Sequence, residues 1–182
     1  MKKNKLTTRD LCIIAIMAAI TAVMSQLSIP MPLGVPITMQ TFAVILTGIM
    51  LGSKNGCISM VIYLLLGAVG LPVFASFKGG FQNLIGPTGG FLLSFPLMAF
   101  LSGLAMEHRE KKTVFCSLIA AGLLANYAIG IAVFCIVTGS PVMTGFTACV
   151  LPFIPTDLIK TVLAAFLGLQ LRKRLQGVLK LS

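Results

Sequence analysis

Charge is what this sequence most lacks. Only 10% of its 182 residues are charged and only four are acidic, where a soluble domain carries about a quarter charged residues. With 57% hydrophobic residues and a mean hydropathy of +1.02, the chain reads as an all-α integral membrane protein. A spanning helix takes about 20 residues, so the length admits six or so spans in a single domain, residues 1–182. No room is left for a soluble catalytic or nucleotide-binding domain.

Histidine is scarce as well, with His108 alone in a charged loop. The five cysteines (Cys12, Cys57, Cys116, Cys135 and Cys149) show no C-x-x-C spacing, and all but Cys57 lie well inside apolar segments. Reduced core thiols are the expectation, rather than disulfides or metal ligands. With one imidazole and scattered thiols, no metal site is predicted. Serine and threonine are plentiful but no base stands ready to activate one, so no catalytic residue and no cofactor is assigned. The run Gly86-Pro87-Thr88-Gly89-Gly90 lacks the G-x-x-x-x-G-K-[ST] spacing of a phosphate loop. Flexible backbone beside a ligand, or a tight external turn, fits it better.

The charge that is present is mostly basic, for a net +10. In a soluble protein this would point to nucleic acid. Here the basic residues lie in tails and loops with no aromatic-interleaved patch, which excludes nucleic-acid binding and instead sets orientation in a lipid bilayer.

Apolar runs separated by Pro, Gly and charged breakers predict spans at about 10–27, 37–53, 56–74, 90–106, 114–138 and 147–171. Basic residues precede the first run, but no small-residue cleavage site and soluble domain follow it, so an uncleaved helix is expected instead of a signal peptide. Three prolines and Gly34 break the chain over 28–36, Lys54 and Asn55 mark a tight turn, and 76–90 is glycine-rich. Six spans put both termini on one side. That side receives Lys2, Lys3, Lys5, Arg9, Lys54, Arg109, Lys111, Lys112, Arg172, Lys173, Arg174 and Lys180, and the other only Lys78. The predicted termini are therefore cytoplasmic.

Asp157 and Lys160 are the only charged side chains within the long apolar segments. A charge near the bilayer centre costs about 2.5–3.5 kcal/mol on insertion scales, so such residues tend to be paired, inward-facing and functional. Their i, i+3 spacing puts them on one helix face, where they neutralise each other and still offer an acceptor and three donors. The plainer reading is an ion pair that only sets packing. The sharper one is a polar patch presented to a small ligand, in the outer half of a helix begun near Pro155, whose ring frees upstream carbonyls. Gln40, Asn126 and Tyr127 also lie within spans; interhelical hydrogen bonding and ligand contact compete as explanations. In the first span Ala15 with Ala19, and Ala18 with Ala22, form small-xxx-small pairs that admit a close helix, from a partner or from the chain itself.

Three stretches together resemble the BioY family, the biotin-specific substrate-binding components of energy-coupling factor vitamin transporters. They are Pro36-Ile37-Thr38-Met39-Gln40-Thr41-Phe42-Ala43; Gly67-Ala68-Val69-Gly70-Leu71-Pro72-Val73-Phe74-Ala75 with Gly86-Pro87-Thr88-Gly89-Gly90-Phe91; and Pro152-Phe153-Ile154-Pro155-Thr156-Asp157-Leu158-Ile159-Lys160. The resemblance implies a six-helix protein of the bacterial plasma membrane that captures biotin from outside. It also implies a complex with a transmembrane coupling subunit and two cytoplasmic ATPases. In that family group the alanine pattern of the first helix meets the coupling subunit, which would make Ala15, Ala18, Ala19 and Ala22 a docking surface, and the loop at 28–36 would act as a lid.

Biotin offers a ureido ring, an apolar bicycle and a carboxylate. Asp157 can accept from the ureido N–H groups and Lys160 or Asn126 can donate to its oxygen. Lys78, Gln82, Asn83 and the glycine-loop amides can meet the carboxylate, and Phe74, Phe91 and Tyr127 can pack the bicycle. Two rivals remain: a solitary ion-coupled secondary transporter with Asp157 as the ion site, which would need no ATPase, and a structural subunit that binds nothing. The absence of other intramembrane acids and of an inverted repeat argues against the former.

Overall fold

The computed structural model describes residues 7–31 and 35–179; Lys2, Lys3, Lys5, Pro32, Gly34 and Lys180 of the preceding arguments lie outside them. Helix α1, Thr8–Gln26, opens with a capping box in which Thr7 Oγ1 accepts from the Asp10 amide and the Asp10 carboxylate accepts from the Thr7 amide. Within a bilayer every polar group needs an internal partner. Accordingly Thr21, Thr47 and Ser102 return their hydroxyls to the carbonyls of Met17, Ala43 and Met98, four residues back.

Helix α2, Gln40–Ala68, is broken at Gly52, whose φ of 80° and ψ of 177° suit glycine almost alone. The chain doubles back there. Gln40 Nε2 donates to the Tyr63 hydroxyl at 2.7 Å, whereas 23 residues of straight helix would span about 34 Å. A Cβ on Gly56 would likewise stand 3.0 Å from the Gly48 Cα. The spans predicted at 37–53 and 56–74 are thus the two arms of one hairpin, and its tip is Gly52 instead of Lys54–Asn55. Lys54 and Asn55 stay helical in the second arm's first turn. Glu107 accepts there from the Ser53 amide (3.3 Å) and hydroxyl (2.6 Å), placing a carboxylate where unpaired amides and the helix dipole favour one.

The predicted fourth span is α4, Gly89–Leu93, and α5, Phe95–Glu107, interrupted at Ser94 just before Pro96. Helix α6 runs Lys112–Thr138. The predicted sixth span, 147–171, is displaced: a separate short α7, Val142–Cys149, precedes α8, Phe153–Leu179. Pro155 falls in the first turn of α8, where its missing N–H costs nothing. Among the described residues five helices are long and apolar enough to cross a membrane: Thr8–Gln26, Gln40–Ala68, Gly89–Glu107, Lys112–Thr138 and Phe153–Arg174.

The α2 hairpin is the centre of the bundle, with α1, α5 and α8 packed on it and α6 beyond α5 and α4. Ile45, Ile49, Met60 and Met98 are wholly or almost wholly buried in its core. Outward faces carry Val23, Leu124, Leu158 and Phe166, the surface a hydrocarbon solvent requires. Two thiols predicted as core, Cys12 and Cys116, sit on that outer surface, and only Cys149 is fully buried. Over the predicted 28–36 loop, β1 (Ser28–Ile29) pairs antiparallel with β2 (Ile37–Thr38). The glycine-rich stretch holds a 3-10 turn at Ala75–Phe77 and a short α3, Gln82–Ile85.

Candidate functional site

Opposite the hairpin tip, the first turns of α2, α4 and α8 and the middle of α6 meet the 74–83 stretch around a cavity. It leaves about 80 Å³ for the centres of water-sized molecules. Its polar floor is built around Asp157, which is 1% exposed. Asp157 Oδ1 accepts from Lys160 Nζ and from the Thr41 hydroxyl, each at 3.0 Å, and Oδ2 accepts from the Tyr127 hydroxyl at 2.8 Å. A carboxylate has about four acceptor positions, so one remains.

Lys160 is also buried, and its ammonium donates to the Thr38 carbonyl at 2.7 Å as well as to Asp157. It does not line the cavity. Its ammonium is held between the Asp157 carboxylate and the Thr38 carbonyl, two residues that do line the cavity, so in this structure Lys160 stands as the counter-ion of Asp157 instead of the predicted direct ligand donor.

Asn126, at the middle of α6, donates from Nδ2 to the Phe91 carbonyl (3.1 Å) and to Ser94 Oγ (2.6 Å). A carbonyl can only accept, so the amide orientation is fixed and Oδ1 is its remaining polar atom. In this arrangement Asn126 offers an acceptor where donation was predicted. Gln40 spends Nε2 on Tyr63 and accepts from Thr38 Oγ1 at 2.9 Å, while the Tyr63 hydroxyl donates a hydrogen bond to the Val73 carbonyl at 3.0 Å. One chain of hydrogen bonds therefore runs from Lys160 through Thr38 and Gln40 to the segment that carries Phe74.

The apolar walls depend on glycine at two helix surfaces. The Phe74 ring lies against Gly67, where any Cβ would overlap it, and meets Tyr63 edge-on with centroids 5.6 Å apart. Phe91 sits against Gly130 in the same way. Lys78 is exposed at the rim, and Asn83 turns its amide nitrogen back to the Gly79 carbonyl at 2.7 Å. Gln82 likewise bonds Gly79 and lies outside the cavity.

The cavity thus gathers Asp157, Asn126, Tyr127, Gln40, Phe74, Lys78, Asn83 and Phe91, every predicted ligand side chain except Lys160 and Gln82. Thr41, Ser76, Phe95 and Phe153 line it too and were not singled out. Thr41 adjoins Gln40, and Phe153 sits four residues before Asp157, one helical turn away; for Ser76 the sequence holds no comparable signal. Of the four α1 alanines, Ala15 and Ala19 are exposed together, Ala22 is half-buried, and Ala18 is 1% exposed against the α2 core. Ala18 is therefore removed from the predicted docking surface by packing inside its own chain.

A bundle of apolar helices around a polar-floored cavity defines a multi-pass membrane protein with a small-molecule pocket. Comparison with known proteins narrows this. The model of the BioY family matches residues 1–177. The chain belongs to the BioY family. It is 42% identical to the biotin transporter BioY of Thermotoga maritima, over 91% of this chain and 96% of that protein. It is 40% identical to the probable biotin transporter BioY of Pyrococcus horikoshii, over 93% and 97%. The crystal structure of the S-component for biotin from an ECF-type ABC transporter superposes with a TM-score of 0.83 at 28% identity, covering 95% of each chain.

Proposed function

We propose that this protein captures biotin and serves as the substrate-binding component of an energy-coupling factor transporter. The observation that carries the reading is the pairing of a polar floor with aromatic walls in one cavity. Asp157 Oδ2 and Asn126 Oδ1 offer acceptors suited to the two ureido N–H groups. Phe74, Phe91 and Tyr127 suit the bicycle, and the rim with Lys78 and Ser76 suits the carboxylate. Family membership and the naming of its relatives as biotin transporters support the same ligand.

The two arms of α2 count as separate crossings in this reading, giving six, with both termini and the Gly52 tip on the cytoplasmic face of the plasma membrane and the cavity facing outward. The exposed Ala15 and Ala19 of α1 meet a transmembrane coupling subunit, and two ATPase subunits supply the energy. The test is biotin binding to the purified, detergent-solubilised chain, with riboflavin and thiamine as controls. Tight, one-to-one, biotin-selective binding without ATP or an ion gradient is expected. No binding by folded protein would overturn the reading.

A further inference from the structure

Ser76 and Phe77 are, among the described residues, the only non-glycine residues with positive φ, at 59° and 57°. Each such residue costs about 1–2 kcal/mol relative to right-handed backbone, and such outliers persist only where their surroundings hold them. Burial does not hold this pair, because Phe77 is 72% exposed and Ser76 is exposed as well. The local bonds close the turn without fixing its hand: the Phe74 amide donates to the Lys78 carbonyl at 2.9 Å and the Lys78 amide to that of Ala75 at 3.4 Å.

The holding contact comes from α1. Gln26, its last residue, accepts at Oε1 from the Phe77 amide at 2.8 Å, and its Nε2 reaches the Phe74 carbonyl at 3.2 Å. One planar amide thus grips both sides of the turn, and among the described residues no other side chain bonds the backbone of 74–77. Nε2 is itself steadied by Ser25 Oγ at 2.8 Å, and Ser25 donates to the Val73 carbonyl at 2.6 Å. The turn's orientation matters because Phe74, Ser76 and Lys78 line the cavity while Gln26 does not.

We infer that Gln26 is a positioning residue: it holds the Ser76–Phe77 turn left-handed and so sets the affinity with which the cavity takes its ligand. The inference rests on the biotin reading above and deepens it by tying one cavity wall to the end of α1. Glycine adopts φ near 57° without penalty, so a glycine at 77, the residue whose amide Gln26 holds, removes one of the two penalties and lessens the need for the grip.

The experiment is biotin affinity of the full chain in detergent for wild type, Gln26→Ala, Gln26→Met, Phe77→Gly and Gln26→Ala/Phe77→Gly, with the thermal midpoint of each ligand-free protein. Gln26→Met keeps the side-chain volume should the alanine variant not fold, and is paired with Phe77→Gly in the same way. Expected are a tenfold or greater loss of affinity on removing the amide, little change in the ligand-free midpoint, and recovery to within about threefold of wild type when Phe77→Gly is added. Wild-type binding with unaltered affinity in both Gln26 variants overturns the inference alone. So does a loss that Phe77→Gly fails to restore, since the grip would then act by some route other than backbone conformation. Failure of wild type to bind biotin overturns the ligand reading and this inference with it.

Discussion

Asp157→Asn isolates the charge at the floor of the cavity. Asparagine keeps the shape, and its oxygen can still accept from Thr41 and Lys160, while its amide can donate to the Tyr127 hydroxyl. What is lost is the negative charge beside the ammonium of Lys160, a residue only 7% exposed. Removing one partner of a buried pair costs about 3–5 kcal/mol, largely because the other charge is stranded. For a chain of this size each kcal/mol moves the midpoint by about 2–4 °C, so a drop of roughly 6–20 °C is expected in ligand-free protein. Lys160→Met should cost less, because Asp157 keeps its Thr41 and Tyr127 donors. The double variant strands neither charge and should lose about 2 kcal/mol less than the sum of the single losses. In the binding assay Asp157→Asn should weaken biotin about a hundredfold, the size of a lost hydrogen bond to a charged group. Thermal melts and calorimetric titration of the four proteins read both effects. Single losses that add within about 0.5 kcal/mol would refute the pairing argument, and unchanged affinity would remove Asp157 from the site.

Gly67→Ala drives a methyl into the Phe74 ring, so overpacking of about 1–3 kcal/mol should lower the melting midpoint and weaken biotin binding together. Gly52→Ala places a Cβ in backbone open almost only to glycine, costing about 1–3 kcal/mol; it should lower the midpoint while leaving the distant cavity's affinity within about threefold. Ala19→Leu alters an exposed face and should preserve biotin binding and stability while reducing co-purification with coupling and ATPase subunits. Ala18→Leu, at a position 1% exposed, should destabilise the isolated chain. In a cysteine-free background, Lys78→Cys should react with a membrane-impermeant maleimide on intact cells and Lys111→Cys only after lysis; the reverse would invert the topology.

Features that depend on composition or on neighbours in the chain were legible from the sequence. Lipid-facing helices announce themselves by hydropathy, and Asp157 and Lys160 stand out because a charge among apolar residues needs a reason. Features set by contacts between distant segments were not. Lys54 and Asn55 are the usual turn-formers, yet the reversal falls at Gly52, because Gly103 and Glu107 of α5 pack and cap there. Ala18 and Ala19 are alike as letters, and only the position of α2 decides which faces out. Tyr63, fully buried 23 residues from Gln40, gave no local hint, and neither did Gln26, whose partners Phe74 and Phe77 lie some fifty residues onward.

The same distinction bears on how the cavity can recognise a ligand. Most of its polar atoms are already committed: Asp157 to three donors, Asn126 Nδ2 to Phe91 and Ser94, Gln40 to Tyr63 and Thr38, Asn83 to Gly79. These internal bonds fix the orientation of each group before a ligand arrives, so less ordering entropy opposes binding than in a loose site. They also leave a specific remainder, with acceptors at the floor on Asp157 and Asn126 and donors at the rim on Lys78, Ser76 and Thr88. A ligand that places N–H groups deep and an anion near the mouth satisfies both ends. One inserted the other way sets its anion against Asp157 and its N–H groups against the Lys78 cation. The polarity of the cavity, more than its size, is then what orients biotin on the proposed reading.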